Sequence, residues 1–217
     1  MAFNCKPSGG YGINSTEGIN NETEYYYYFS SIATRNCIIG MLCNIVEESG
    51  LNPWRWQGDS VNTSNGYGLY QYTPASGYIN LTGITGHAPN MSTSAISGGD
   101  PSDAYAQMYV FEHNTLSKWV NTCWRSYWSA TDYPLLYARR THILNTYGDG
   151  STLSMEQFFQ IDDAEDACFA FLACFEGPNV PNFSDRTSHI QDLDNNLPNA
   201  DDDLIAILYK YSRRYLK

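Results

Sequence analysis

Two adjacent glutamates, Glu47 and Glu48, close the apolar run in NIVEESGLNPWRWQ, residues 44–57. A carboxyl group in the last turn of a helix meets the negative end of the helix dipole, which disfavours its charged form. Desolvation by neighbouring rings such as Trp54 or Trp56 acts in the same direction. A glutamic acid kept protonated near neutral pH is what cleavage of a glycosidic bond asks of its general acid. Adjacent helical residues point about 100° apart, so only one of the two can face a given cleft. Glu48 follows Met41 and Asn44 at helical spacing and Glu47 follows Gly40 and Cys43, and the pattern alone does not choose between them. The plain alternative is a solvent-facing pair without chemistry. Asp59 is the one acid between this helix and GYGLYQYT, residues 66–73. Standing across a cleft, it would orient a water or stabilise an oxocarbenium-like transition state.

The elements that must position these groups read as mostly helical. A helix is expected over residues 22–34, and a second begins at Asn36 as N-cap, with Ile38, Leu42, Ile45 and Ser49 in one stripe. Gly50 supplies a left-handed stop and Pro53 forbids continuation. A polar loop over 58–66 leads into YGLYQYT, which alternates like a short strand and would place Tyr67, Leu69, Gln71 and Thr73 on one face. Thr73-Pro74 is a helix start, and residues 79–103 read as a long loop or insertion. Further helices are expected over 103–127, 131–148, 154–160, 162–178 and 204–217, the fourth capped by Asp162 or Asp163 and ended by Gly177 and Pro178. The expected class is mainly α (α+β), with a small β element after the Glu48 helix. Three regions are expected: an arm over 1–21, the main domain over 22–190, and an acidic linker with a C-terminal helix over 191–217.

The net charge of -11 argues against a surface that tracks phosphates, so no nucleic-acid partner is expected. No apolar run approaches the length that spans a bilayer, so no membrane partner is expected, and the first residues lack the pattern of a secretory leader. The 18 Tyr and 5 Trp, mixed with Asn, Ser and Thr, suit a sugar-binding surface, where rings cover the apolar face of a pyranose. Cys37 and Cys43, like Cys168 and Cys174, stand six residues apart in apolar runs. Six residues of helix rise roughly 9 Å, too far for a disulfide within one helix, so all four are expected as buried thiols. Glu112 and His113 diverge as helix neighbours, and no metal site or phosphate loop is expected. Glu176, ending another apolar helix, reads as a structural carboxylate partnered by Arg186 or by backbone N–H groups.

EESGLNP followed by GYGLYQYTPASGY resembles the active-site signature of the phage tail lysozyme family. More distantly it resembles goose-type lysozymes and lytic transglycosylases, where Glu-Ser ends a helix and a Gly-Leu-x-Gln strand follows. The likeness continues through YYYYFSSIATRNCIIGMLCNIVEESGLNPWRWQ, MYVFEHNTLSKWV and AFLACFEGPNVPNFSDR, and runs from Glu22 to His189. It is similar to the lysozyme-like glycosidase domain of tail-knob proteins of small short-tailed phages of Gram-positive bacteria. By position, the resemblance makes Glu48 the general acid and Glu47 its exposed neighbour. Gln71 becomes the positioning residue on the cleft floor, and Tyr67, Gly68, Tyr72 and Trp56 the substrate-binding positions. Two departures stand out: FEGP replaces the family's YERP, and residues 79–103 and 191–217 are longer than its pattern.

The resemblance implies a lysozyme-like fold and a muramidase-type hydrolase acting on peptidoglycan glycan strands. It also implies assembly in the host cytoplasm into the virion tail beside other tail proteins, and local opening of the cell wall as DNA passes in. Hydrolysis and intramolecular attack giving an anhydro-sugar both stay open. So do a holin-released endolysin and an inactive sugar-binding tail protein on the same fold. No cofactor is expected. Wall clearing is therefore predicted to proceed equally in buffer and in EDTA; loss in EDTA, restored by a divalent ion, would contradict it.

Overall fold

The computed structural model describes residues 2–79, 103–123 and 129–198. They form two compact units, Met1–Glu24 with Ile45–Ser117 and Tyr25–Asn44 with Lys118–Lys217. The described chain is mainly helical, as expected.

The first unit holds the first part of α1 (Thr16–Phe29), which begins earlier than the apolar pattern suggests. Ser15 starts it: the Ser15 hydroxyl oxygen accepts from the Gly18 N–H at 3.0 Å, satisfying one of the donors that a helix start leaves open. The segment expected as an arm is packed into this unit. Phe3 is buried, and Asn21 accepts from the Asn4 N–H at 2.7 Å while donating to the Asn4 and Leu51 carbonyls. The Asn52 side chain donates to the Lys6 and Gly9 carbonyls, and the Tyr11 N–H donates to the Gly50 carbonyl. The side-chain amides of Asn21 and Asn52 fix the backbone of this segment.

The expected strand over 67–73 is a turn. Tyr67 and Tyr72 exchange backbone hydrogen bonds of 3.3 and 2.9 Å, and Tyr67 also bridges Trp56. Between them Gly68 and Gln71 take positive φ, 82° and 44°, which curls the chain and abolishes the period-two alternation. Only isolated β bridges stand where a small β element was expected. Next comes α3 (Ala75–Ile79), after the expected Thr73-Pro74 start. Then α4 (Asp103–Glu112) stops well short of the predicted helix end, because Asn114 and Ser117 adopt positive φ of 47° and 51°.

The second unit holds the first part of α2 (Arg35–Ser49), whose cap is Thr34 rather than Asn36: Thr34 Oγ1 accepts from the Cys37 N–H at 3.0 Å. Asn36 lies inside the helix and donates to the Asp162 carbonyl. The unit continues with α5 (Pro134–Thr146) and α6 (Met155–Phe158), the latter started by a reciprocal Ser154–Gln157 capping box. Asp163 caps α7 (Ala164–Phe171), which runs on as a π-helical segment, Leu172–Glu176, to the left-handed stop at Gly177. Two short helices follow, α8 (Phe183–Thr187) and α9 (Ile190–Asn196). Gly40 brings α2 against α7 at backbone distance: a Cβ there would stand 2.5 Å from the Cys168 nitrogen. Phe158, Phe169, Phe171 and Leu172 are fully buried in the same unit.

One cysteine expectation is corrected. Cys174 is bonded to Cys123, across 51 residues, leaving Cys5, Cys37, Cys43 and Cys168 as thiols. The spacing argument tested partners on the same helix, and the partner comes from another segment. Cys37, Cys43 and Cys168 are buried as expected, and burial pushes the Cys37 thiol well up. Most of the expected insertion at 79–103, the end of the predicted 103–127 helix, and the final helix at 204–217 lie outside the described residues. Alkylation of the unfolded, unreduced chain is expected to label four of the six cysteines. Cys123→Ser should then cost roughly 2–4 kcal/mol in a denaturant titration, from the freed loop in the unfolded chain.

Candidate active site

The expected site residues all fall in the first unit. In the last turn of α2, Glu47 is exposed and Glu48 half-buried, while Ser49 is buried and its hydroxyl donates to the Ile45 carbonyl at 3.1 Å. Gly50 and Leu51 then take left-handed φ of 56° and 62° and turn the chain away. Position therefore separates two glutamates that periodicity could not: Glu48 stands at the border between core and solvent.

The chain leaving this helix holds the Gln71 turn directly. Gln71 is half-buried, and its Nε2 donates to the Arg55 carbonyl at 3.1 Å and the Gly68 carbonyl at 2.9 Å. The Gly68 N–H donates to the same Arg55 carbonyl at 2.8 Å. Gln71 is thus fixed to a residue only a short way along from Glu48. Asp59 is exposed, accepts from the Gly9 N–H at 2.7 Å and lies 3.8 Å from Arg55 Nε, so it ties down the N-terminal segment.

The rings expected against sugar are interior. Trp56 and Tyr67 are 0% exposed and Tyr72 1%, so none offers a face to solvent in this structure. The Tyr67 hydroxyl donates to Asp103 Oδ2 at 2.6 Å, and its ring lies 4.5 Å from that of Trp56. Tyr72 stacks on Tyr78 and donates to the Gln107 carbonyl at 3.0 Å. These side chains support the turn from beneath. Gly68 is buried against the Gln107 amide.

Two residues that organise this region were not singled out from the sequence. Asp103, 1% exposed, accepts from the hydroxyls of Tyr67 and Tyr78 and from the Gln107 amide. Burial, then the charge of Asp103, push the Tyr78 phenol far up. Gln107, fully buried, follows one helical turn later. The signal was present: two polar residues at i and i+4 within DAYAQMYVF, among Ala, Met, Val and Phe, share the face that packs inward. Glu22 and Glu24 are buried carboxylates on α1, and the Tyr105 hydroxyl donates to Glu24. In the second unit Glu176 is half-buried at the end of the π segment, and the Arg186 guanidinium donates to the Asn44 carbonyl. A cavity of about 990 Å³ lies within that unit too. It is lined by Arg139, His142, Asp166 and Phe183 among others, and holds none of the expected site residues. Charges on its wall answer one another, Arg139 donating to the buried Asp166 at 2.6 Å and to the exposed Glu165 at 2.7 Å.

Residues 20–195 match the family of phage tail lysozymes. The chain belongs to the phage tail lysozyme family. The matched range contains Glu48, the Gln71 turn and α4, and begins close to the start expected from the motifs. A similar curated protein is morphogenesis protein 1 of Bacillus phage B103, 36% identical over 89 residues. Those residues are 41% of this chain and 22% of that relative, so the chain spans about a fifth of the relative's length. Among the described residues of this tail lysozyme family member, no group of three or more His, Cys, Asp or Glu is placed to hold a metal. No described helix is long and apolar enough to cross a membrane.

Gly68→Ala tests the construction of the turn. The added Cβ would stand 2.2 Å from Gln107 Oε1 at a φ of 82°, so a loss of about 1–3 kcal/mol is expected in chemical denaturation. An unchanged midpoint would mean that the turn does not close on α4 in solution.

Proposed function

We propose that this protein cleaves the glycan strand of peptidoglycan, with Glu48 as general acid. The half-buried position of Glu48 in the last turn of α2, beside an exposed Glu47, is the observation that carries the reading. The family membership and the Gly-Leu-Tyr-Gln turn support it. Glu48 protonates the glycosidic oxygen as the bond to the leaving sugar lengthens, and positive charge develops on the ring carbon that remains. Gln71, held by the Arg55 carbonyl, positions the substrate or the attacking water. Asp59, exposed and accepting from the Gly9 N–H through one oxygen, is the candidate second carboxylate. The reading that needs no second carboxylate uses a water held by Gln71 and backbone groups, or attack by the sugar's own hydroxyl to give an anhydro end. Tyr67, Tyr72 and Trp56 act here as the buried support of the cleft floor, with Gly68 allowing close approach of the chain.

The setting proposed is the virion tail, among other tail proteins, where the enzyme opens the host cell wall locally. The tail lysozyme family and the morphogenesis protein of a Bacillus phage support that setting. Purified chain should clear a zymogram of Gram-positive walls, and mass spectrometry of the fragments should show reducing or anhydro sugar ends. Glu48→Gln is expected to lower cleavage by about 10² to 10⁴ with the fold intact, whereas Glu47→Gln costs little. The reverse order would move the acid to Glu47. Wall binding without clearing by the wild type would instead favour an inactive sugar-binding tail protein.

A further inference from the structure

We infer that Gln107 is a positioning residue for the reaction: its amide sets the Gln71 turn against the chain that leaves the Glu48 helix. The inference rests on the proposed glycan cleavage. Gln107 is 0% exposed and sits on α4, remote in sequence from both segments. Its Nε2 donates to the Pro53 carbonyl at 2.8 Å, just past the turn that follows Glu48. Its Oε1 accepts from the Leu69 N–H at 2.7 Å, inside the Gln71 turn. Its own main-chain carbonyl accepts from the Tyr72 hydroxyl at the far end of that turn. The second proton of the amide is directed to Asp103 Oδ2 at 3.3 Å, which fixes which end of the amide donates and which accepts.

One side chain therefore bonds both to the segment after Glu48 and to the turn bearing Gln71. A shorter side chain cannot reach both, and an apolar one leaves the Pro53 carbonyl and the Leu69 N–H unanswered in a buried place. Gly68 must lack a Cβ for this contact to form, since one would stand 2.2 Å from Gln107 Oε1. Gln107 does not touch substrate in this account. It acts through the backbone at Leu69 on the position of Gln71, and small misplacements of such groups cost rate steeply.

The test uses the full chain acting on soluble glycan strands prepared from Gram-positive peptidoglycan, with kcat and KM measured separately. Gln107→Met is expected to lower kcat about tenfold or more, with KM changed less than threefold and the protein still folded at the assay temperature. Gln107→Met added to Gln71→Ala should lose no more than Gln71→Ala alone, because Gln107 acts through the position of Gln71. Should Gln107→Met not fold, Gln107→Glu carries the test. It keeps the acceptor for Leu69; ionised, it loses the donor to Pro53 and faces Asp103, so its kcat relative to wild type should rise as the pH falls and its carboxyl is protonated. Wild-type kcat in folded Gln107→Met, a further loss when it is added to Gln71→Ala, or a Gln107→Glu rate that does not rise relative to wild type as the pH falls, would overturn the inference alone. Uncut strands with the wild-type chain would overturn the cleavage reading, and the inference with it.

Discussion

A buried backbone group must find a hydrogen-bond partner, and the segment from Leu51 to Thr73 has almost no regular structure in which to find one. Side-chain amides take the place of neighbouring strands. Asn21 answers the Leu51 carbonyl, Asn52 the Trp54 N–H, Gln57 the Gly66 N–H, Gln71 the Arg55 and Gly68 carbonyls, and Gln107 the Pro53 carbonyl and the Leu69 N–H. An amide carries donor and acceptor at opposite corners of one rigid plane, so it can replace both sides of a missing ladder. Each such bond contributes about 1 kcal/mol net, but leaving either partner buried and unmet costs more than that. The irregular path after Glu48 is thereby held without a sheet. That path is the ground on which the proposed site stands.

The second unit solves a different problem by apolar means. Its phenylalanines and the close approach at Gly40 pack α2 on α7, and a covalent link joins Cys123 to the π segment at Cys174. Polar groups there are mostly caps and surface pairs. Thr34, Ser154 and Asp163 each answer an N–H of a first helical turn, which is why three helices start where they do. The first unit thus leans on side-chain amides, the second on phenylalanines and thiols.

Much of this was legible in the residues. The stop after Ser49, the cap at Asp163, the left-handed Gly177 and the Glu-Ser helix end are local signals, and local signals survive folding. The strand was misread because Tyr67, Leu69 and Gln71 carry an alternation that two positive φ values override, one of them at a glutamine that ordinary propensity would not place there. The tyrosines were misread for a related reason. A phenol in a sugar-binding composition suggests an exposed ring, whereas Tyr67 and Tyr78 place their hydroxyls on one buried aspartate. That aspartate lies far along the chain, and no local pattern connects them. Cys123 and Cys174 failed to announce their bond for the same reason, since neither spacing nor helix geometry relates them.

The packing of residues 2–15 reaches past the stretch that the family match outlines. The family match begins at residue 20, yet Asn21, Asn52 and Asp59 each direct a side chain to backbone groups between Asn4 and Gly9. A chain trimmed at the family boundary would keep every motif of the proposed chemistry and lose the partners of three residues around it. Asn52 follows closely on Glu48 in sequence, so the loss would fall beside the acid. The stretch that the family match outlines and the stretch packed around it are therefore not the same. The matched motifs here are hydrogen-bonded to residues that lie before the family match.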